Sequence, residues 1–78
     1  MPTVARIGPY RLFFYSNEDT EPPHIHVQRE QRLAKFRLES VALARVTGFP
    51  AVELRRVERL VVAHQKRLME AWHEYFGR

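Results

Sequence analysis

The sequence predicts an α+β domain: an antiparallel sheet of four to five short strands, one face covered by a C-terminal helix or by a bent or split helix pair. Three observations carry this. Residues 3–38 consist of short β-branched and aromatic runs, broken by Gly8-Pro9 and Pro22-Pro23. From Ala51 onward the apolar period changes to steps of three and four. The chain has 78 residues, the size of one domain (residues 1–78) with a small core and marginal stability.

Thr3-Val4-Ala5-Arg6-Ile7 reads as a first strand, closed by the Gly8-Pro9 turn. Tyr10-Arg11-Leu12-Phe13-Phe14-Tyr15 is an aromatic run suited to a half-buried strand. Ser16 to Pro23 is a polar loop containing the acidic knot Glu18, Asp19 and Glu21, and its two prolines cannot donate ladder hydrogen bonds. His24 to Val27 alternates, a turn falls near Glu30-Gln31, and the alternation resumes over Ala34 to Leu38. Val41 to Arg45 fits either a fifth strand or one helical turn.

Leu54, Val57, Val61, His64, Leu68, Ala71 and Tyr75 then form a helical stripe, widened by Leu60, Trp72 and Phe76. Pro50 and Glu53 suit its first turn and Gly77 its stop, although no side chain offers an obvious N-cap. A straight helix over 51–76 would be ~39 Å long, against a diameter of roughly 30 Å for a globule of this size. The helix therefore breaks around His64-Gln65-Lys66, or its end overhangs. An overhang would offer Leu68, Trp72, Tyr75 and Phe76 to a homo-oligomer or partner interface; the same aromatics also suit a cap on the chain's own core.

Composition narrows the function classes. Cysteine is absent, which excludes disulfides and cysteine-ligated zinc. No apolar run is long enough to span a bilayer and no signal peptide is legible, so the expectation is a cytoplasmic chain with no membrane role. The formal charge is +4, and eleven of the thirteen cations are arginine, the side chain that grips phosphate bidentately. No Gly-rich phosphate loop, nucleophile elbow or H-E-x-x-H motif occurs, and no cofactor is expected.

Strand parity groups the remaining candidates. With Leu12, Phe14, Ile25, Val27, Ala34, Phe36 and Leu38 inward, the open face carries Arg11, Phe13, Tyr15, His24, His26, Gln28, Lys35 and Arg37. Cations interleaved with aromatic rings suit single-stranded RNA or DNA, rings stacking on bases while cations hold phosphates. An ordinary solvated face of a one-sided sheet has the same parity. His24 and His26, at i and i+2 after Pro22-Pro23, admit three readings: a solvated pair, two metal ligands needing a third from Asp19, Glu21, His64 or His73, or a catalytic acid–base pair for phosphodiester cleavage. No metal site is fixed by the sequence. His64, on the apolar stripe, reads as a histidine bonded to a backbone carbonyl.

The aromatic run ending in Phe14-Tyr15, Pro22-Pro23-His24-Ile25-His26-Val27, Ala34 and Leu68-Met69-Glu70-Ala71-Trp72, behind Met1-Pro2-Thr3, together resemble the small bacterial proteins of Domain of Unknown Function 4160. Arg29-Glu30-Gln31-Arg32 departs from that family's pattern in lacking a turn glycine. The resemblance implies a toxin–antitoxin component that binds a cognate small protein from the same operon, and the open face adds the expectation that it binds nucleic acid. The alternative is a small ribonuclease or metal-dependent nuclease using His24 and His26.

Overall fold

The computed structural model describes residues 3–15 and 20–77. Five strands form one antiparallel meander in chain order: β1 Thr3–Ile7, β2 Tyr10–Phe13, β3 His24–Arg29, β4 Arg32–Arg37 and β5 Ala42–Thr47. Two helices follow, α1 Ala51–Ala63 and α2 Gln65–Phe76. The α+β expectation holds, and the ambiguous segment after Val41 is the fifth strand. Glu18 and Asp19 of the acidic knot, like Met1-Pro2, lie outside the described residues.

Local chemistry sets the register. Arg29 pairs with Arg32, so β3 and β4 are joined by Glu30-Gln31 alone. A two-residue hairpin needs a left-handed residue, and without glycine the strain falls on Glu30, at φ 55°. Between β4 and β5 the register slips: Lys35 faces Arg45 and Phe36 faces Leu43, leaving Ala44 without a partner as a β-bulge.

The helix breaks at one residue, His64 (φ −113°, ψ 14°). Its Nδ1–H donates to the Leu60 carbonyl at 2.9 Å, inserting a side chain into the helical ladder, a recognised cause of a kink. Backbone bonds still bridge the break, from His64 N–H to Leu60 and from Leu68 N–H to His64. Gln65 Nε2 then donates to the Leu38 and Glu39 carbonyls at 2.6 and 3.2 Å, pinning the kink to the end of β4. This split keeps the helical segments within a body 35 Å long. Gly77, at φ 72°, closes α2 in the left-handed cap that glycine favours.

The core lies between the helices and one sheet face. Leu12, Ile25, Val27, Phe36 and Leu38 pack with Val57, Val61, Leu68 and Trp72. Leu68 and Trp72 are each 1% exposed, so the sequence-based choice of these two as partner anchors is corrected: the kink folds them back onto the chain's own core. Phe76 is partly buried against that core, and of the four only Tyr75 is an exposed large apolar residue.

At the opposite end of α1, Glu53 is buried although it is charged. Three donors compensate it: Tyr10 Oη at 2.8 Å and Arg29 Nη1 at 2.7 Å on Oε2, and Arg32 Nη1 at 2.7 Å on Oε1. The carboxylate clips α1 to β2 and to both sides of the β3–β4 hairpin. The Arg29 hydrogen bond, aided by those of Tyr10 and the nearby arginines, holds the Glu53 carboxyl below the usual carboxylate range. Burial, with Glu53 beside it, pushes the Tyr10 hydroxyl up.

Candidate functional site: the open face of the sheet

The strand pairing turns parity into rows. Phe13, His26, Lys35 and Arg45 lie side by side across β2, β3, β4 and β5. Arg11, Gln28, Leu33 and Thr47 form the row on one side, and His24, Arg37 and Ala42 the row on the other. All the open-face strand residues expected from sequence therefore share one face, and four unforeseen ones, Leu33, Ala42, Arg45 and Thr47, join them. By sequence Val41 to Arg45 fits either a strand or a helical turn and so stands outside the parity argument, and the bulge at Ala44 would have misdirected it. Counted by strict alternation Arg45 falls on the side of Leu43, and the extra residue moves it to the side of Lys35.

The face is not uniform. Toward β2 and β3 it is sealed by rings. Phe13 stacks on His26 with centroids 5.2 Å apart and planes at 23°, and the Arg11 guanidinium lies 4.3 Å from the Phe13 centroid. Phe13 is thereby engaged by both His26 and Arg11, and it is buried. Arg11 is further occupied, donating to Thr3 Oγ1 at 3.0 Å and Gln28 Oε1 at 2.9 Å. Tyr15 sets its ring 5.0 Å from His26 and 5.5 Å from Phe13 and remains 39% exposed.

His24 and His26 do lie together, ring centroids 5.1 Å apart, but they are 1% and 7% exposed. The His24 Nδ1–H donates to the Pro22 carbonyl at 3.0 Å, and Trp72 covers its ring at 4.9 Å. His24 is thus covered by a residue near the far end of the chain, which strand parity cannot reveal, while His26 is packed by Phe13 and Tyr15. Among the described residues no three His, Cys, Asp or Glu side chains come together as metal ligands. Of the suggested third ligands, Glu21 is bonded to Lys35, His64 to Leu60, and Asp19 lies outside the described residues.

Toward β4 and β5 the face becomes cationic. Lys35 Nζ meets Glu21 Oε1 at 2.9 Å in a partly exposed pair. Neither Arg37 nor Arg45 forms an ion pair among the described residues, and both are exposed. Between Tyr15 and Arg45 the surface is indented by a groove of about 260 Å³. Chemically this half can hold anions and offers one aromatic wall beside them.

Among the described residues no helix is long and apolar enough to cross a membrane. Searches of curated proteins and of solved structures return no match. A family profile does match, over residues 10–73, from the start of β2 into the last turns of α2. That span holds the ring-sealed histidines, the cationic strands and Trp72, and the chain belongs to the family described as Domain of unknown function (DUF4160).

Proposed function

We propose that the open face binds single-stranded nucleic acid, RNA foremost, and that the chain acts as the nucleic-acid-contacting member of a two-protein toxin–antitoxin pair. One observation carries the binding reading: Arg37 and Arg45, lacking ion pairs among the described residues, flank Lys35 on the face that also exposes Tyr15. Arginines facing solvent without carboxylate partners add little to stability and are suited to phosphate. Of the two open-face aromatics, Tyr15 is 39% exposed and Phe13 is buried. Arg11 supports this surface from the ring-sealed side.

The two-protein part rests on the family resemblance. The edge strand β5, exposed along its whole length and bearing Leu43 and Val46, suits a cognate small protein or a second copy that adds a strand. The nuclease alternative draws no support from two imidazoles so nearly closed to substrate. Inducible expression tests the pairing. Growth inhibition by one of the two neighbouring genes, relieved by co-expression of the other, supports it; no inhibition by either gene removes it.

A further inference from the structure

The groove on the open face has walls of different chemistry. Tyr15 and His26 form an aromatic side, Lys35 and Arg45 a cationic side, with Leu33 and Thr47 completing the lining. Lys35 and Arg45 are direct cross-strand neighbours, so both cations reach the same volume. At about 260 Å³ the groove is somewhat smaller than drug-sized pockets of ~300–1,000 Å³, room for one small ligand and not for a stacked pair of bases.

A ring wall facing two cations, with a threonine hydroxyl lining the same groove, matches one ligand class: a planar base joined through a sugar to a phosphate. We infer that this groove is a subsite for a single nucleotide, its phosphate held by Arg45 and Lys35 and its base against Tyr15. The inference rests on the nucleic-acid reading of the open face and adds where one residue of the strand is read. Thr47, on the edge strand, contributes the hydroxyl that a sugar or base edge can bond.

Glu21 adds a consequence. Its carboxylate already holds Lys35 at 2.9 Å, so an incoming phosphate competes with it, whereas Arg45 has no such competitor among the described residues. Arg45 is therefore the principal phosphate ligand and Glu21 a brake on affinity. Arg37 lies beside a separate recess of about 110 Å³ shared with Glu21 and Ala44, too small for a nucleotide, and its place is on the strand's backbone outside the subsite.

The experiment uses the full chain, labelled with nitrogen-15, and three probes: uridine monophosphate, uridine and inorganic phosphate. A short oligouridylate is followed in parallel by fluorescence anisotropy. The monophosphate should shift the amides of Tyr15, Lys35, Arg45 and Thr47. It should bind about tenfold tighter than uridine or phosphate alone, the scale of adding one base stack to one phosphate contact. Arg45→Ala and Thr47→Trp should each weaken both monophosphate and oligomer, Arg37→Ala only the oligomer, and Glu21→Gln should tighten both. Arg45→Ala, at an exposed position, carries the result if the tryptophan variant fails to fold. Oligomer binding that persists while the monophosphate ignores Arg45→Ala removes the subsite and leaves the face reading standing. No oligomer binding removes both.

Discussion

The two faces of one sheet are built from alternate residues of the same strands, yet they are finished differently. On the helix side Leu12, Ile25, Val27 and Phe36 meet Val57, Val61, Leu68 and Trp72, and little is left for a ligand. On the open side Trp72 of α2 covers His24, and the other rings cover one another. Phe13, Tyr15, His24 and His26 lean ring on ring, with Arg11 over Phe13. That mutual cover stops at β3. Beyond it lie Lys35, Arg37 and Arg45, and among the described residues Glu21 is the carboxylate that pairs with one of them, Lys35. The difference separates stability from binding. Rings and histidines on the open face complete a core too small to close itself, and cations whose local partners run out are left for a partner from outside.

Several substitutions break or sharpen this contrast. Trp72→Ala should have the largest effect, because Trp72 touches Phe14 on the covered side and His24 on the other. A loss of about 3–5 kcal/mol is expected, a large share of the whole stability of so short a chain. Thermal or urea unfolding measures it, and a small loss would mean the two sides are not joined through this ring.

Glu53→Gln should come next, since it leaves Arg29 and Arg32 without the carboxylate that gathers them. The wild type should carry the matching pH signature. The Glu53 pKa is depressed in the fold, first by the Arg29 hydrogen bond, so its contribution is complete above the unfolded value of ~4.3. That contribution disappears as pH falls through the lower folded value. The variant should melt at a lower temperature and lose that part of the acid dependence; an unchanged acid profile would show that the clip contributes nothing. Tyr10, raised by burial, acts in the opposite sense and withdraws stability as pH rises past ~10.

A smaller gain is expected from Glu30→Gly. Relieving a left-handed non-glycine residue gives back about 1–2 kcal/mol, offset by the extra unfolded-state freedom of glycine, about 0.5–1 kcal/mol. A net rise of up to ~1.5 kcal/mol in unfolding free energy follows. A fall would mean that this hairpin, which sets the register of both faces, is not strained. The smallest effect belongs to Arg37→Ala and Arg45→Ala, each within about ±0.5 kcal/mol of wild type in stability. A larger destabilisation would place these arginines with the structural half of the face.

Much of this was legible in the sequence, and the parts that were not share a cause. Period-two alternation placed Arg11 through Arg37 correctly because β2, β3 and β4 pair without a bulge. The helical stripe exceeded the size of the domain, and the break fell at His64, where a histidine side chain reaches its own helix's carbonyl. Local patterns encode local outcomes. The role of Arg45 depended on a one-residue bulge that reverses parity. The closure of His24 depended on Trp72, and the burial of Glu53 on arginines from a distant hairpin. Those are encounters between segments far apart in the chain, visible only once the chain is folded.

The central claim is that the β4–β5 half of the open face holds a single-stranded backbone by its cations. Its most direct test is the affinity of a short single-stranded RNA for the wild type and for the Arg37→Ala/Arg45→Ala double variant across a salt series. Three phosphate contacts, at Lys35, Arg37 and Arg45, predict a log–log slope of about −2 for the wild type, and one remaining contact about −0.7 for the variant, with weaker binding throughout. An affinity indifferent to salt, or a variant whose slope and affinity match the wild type, would contradict it.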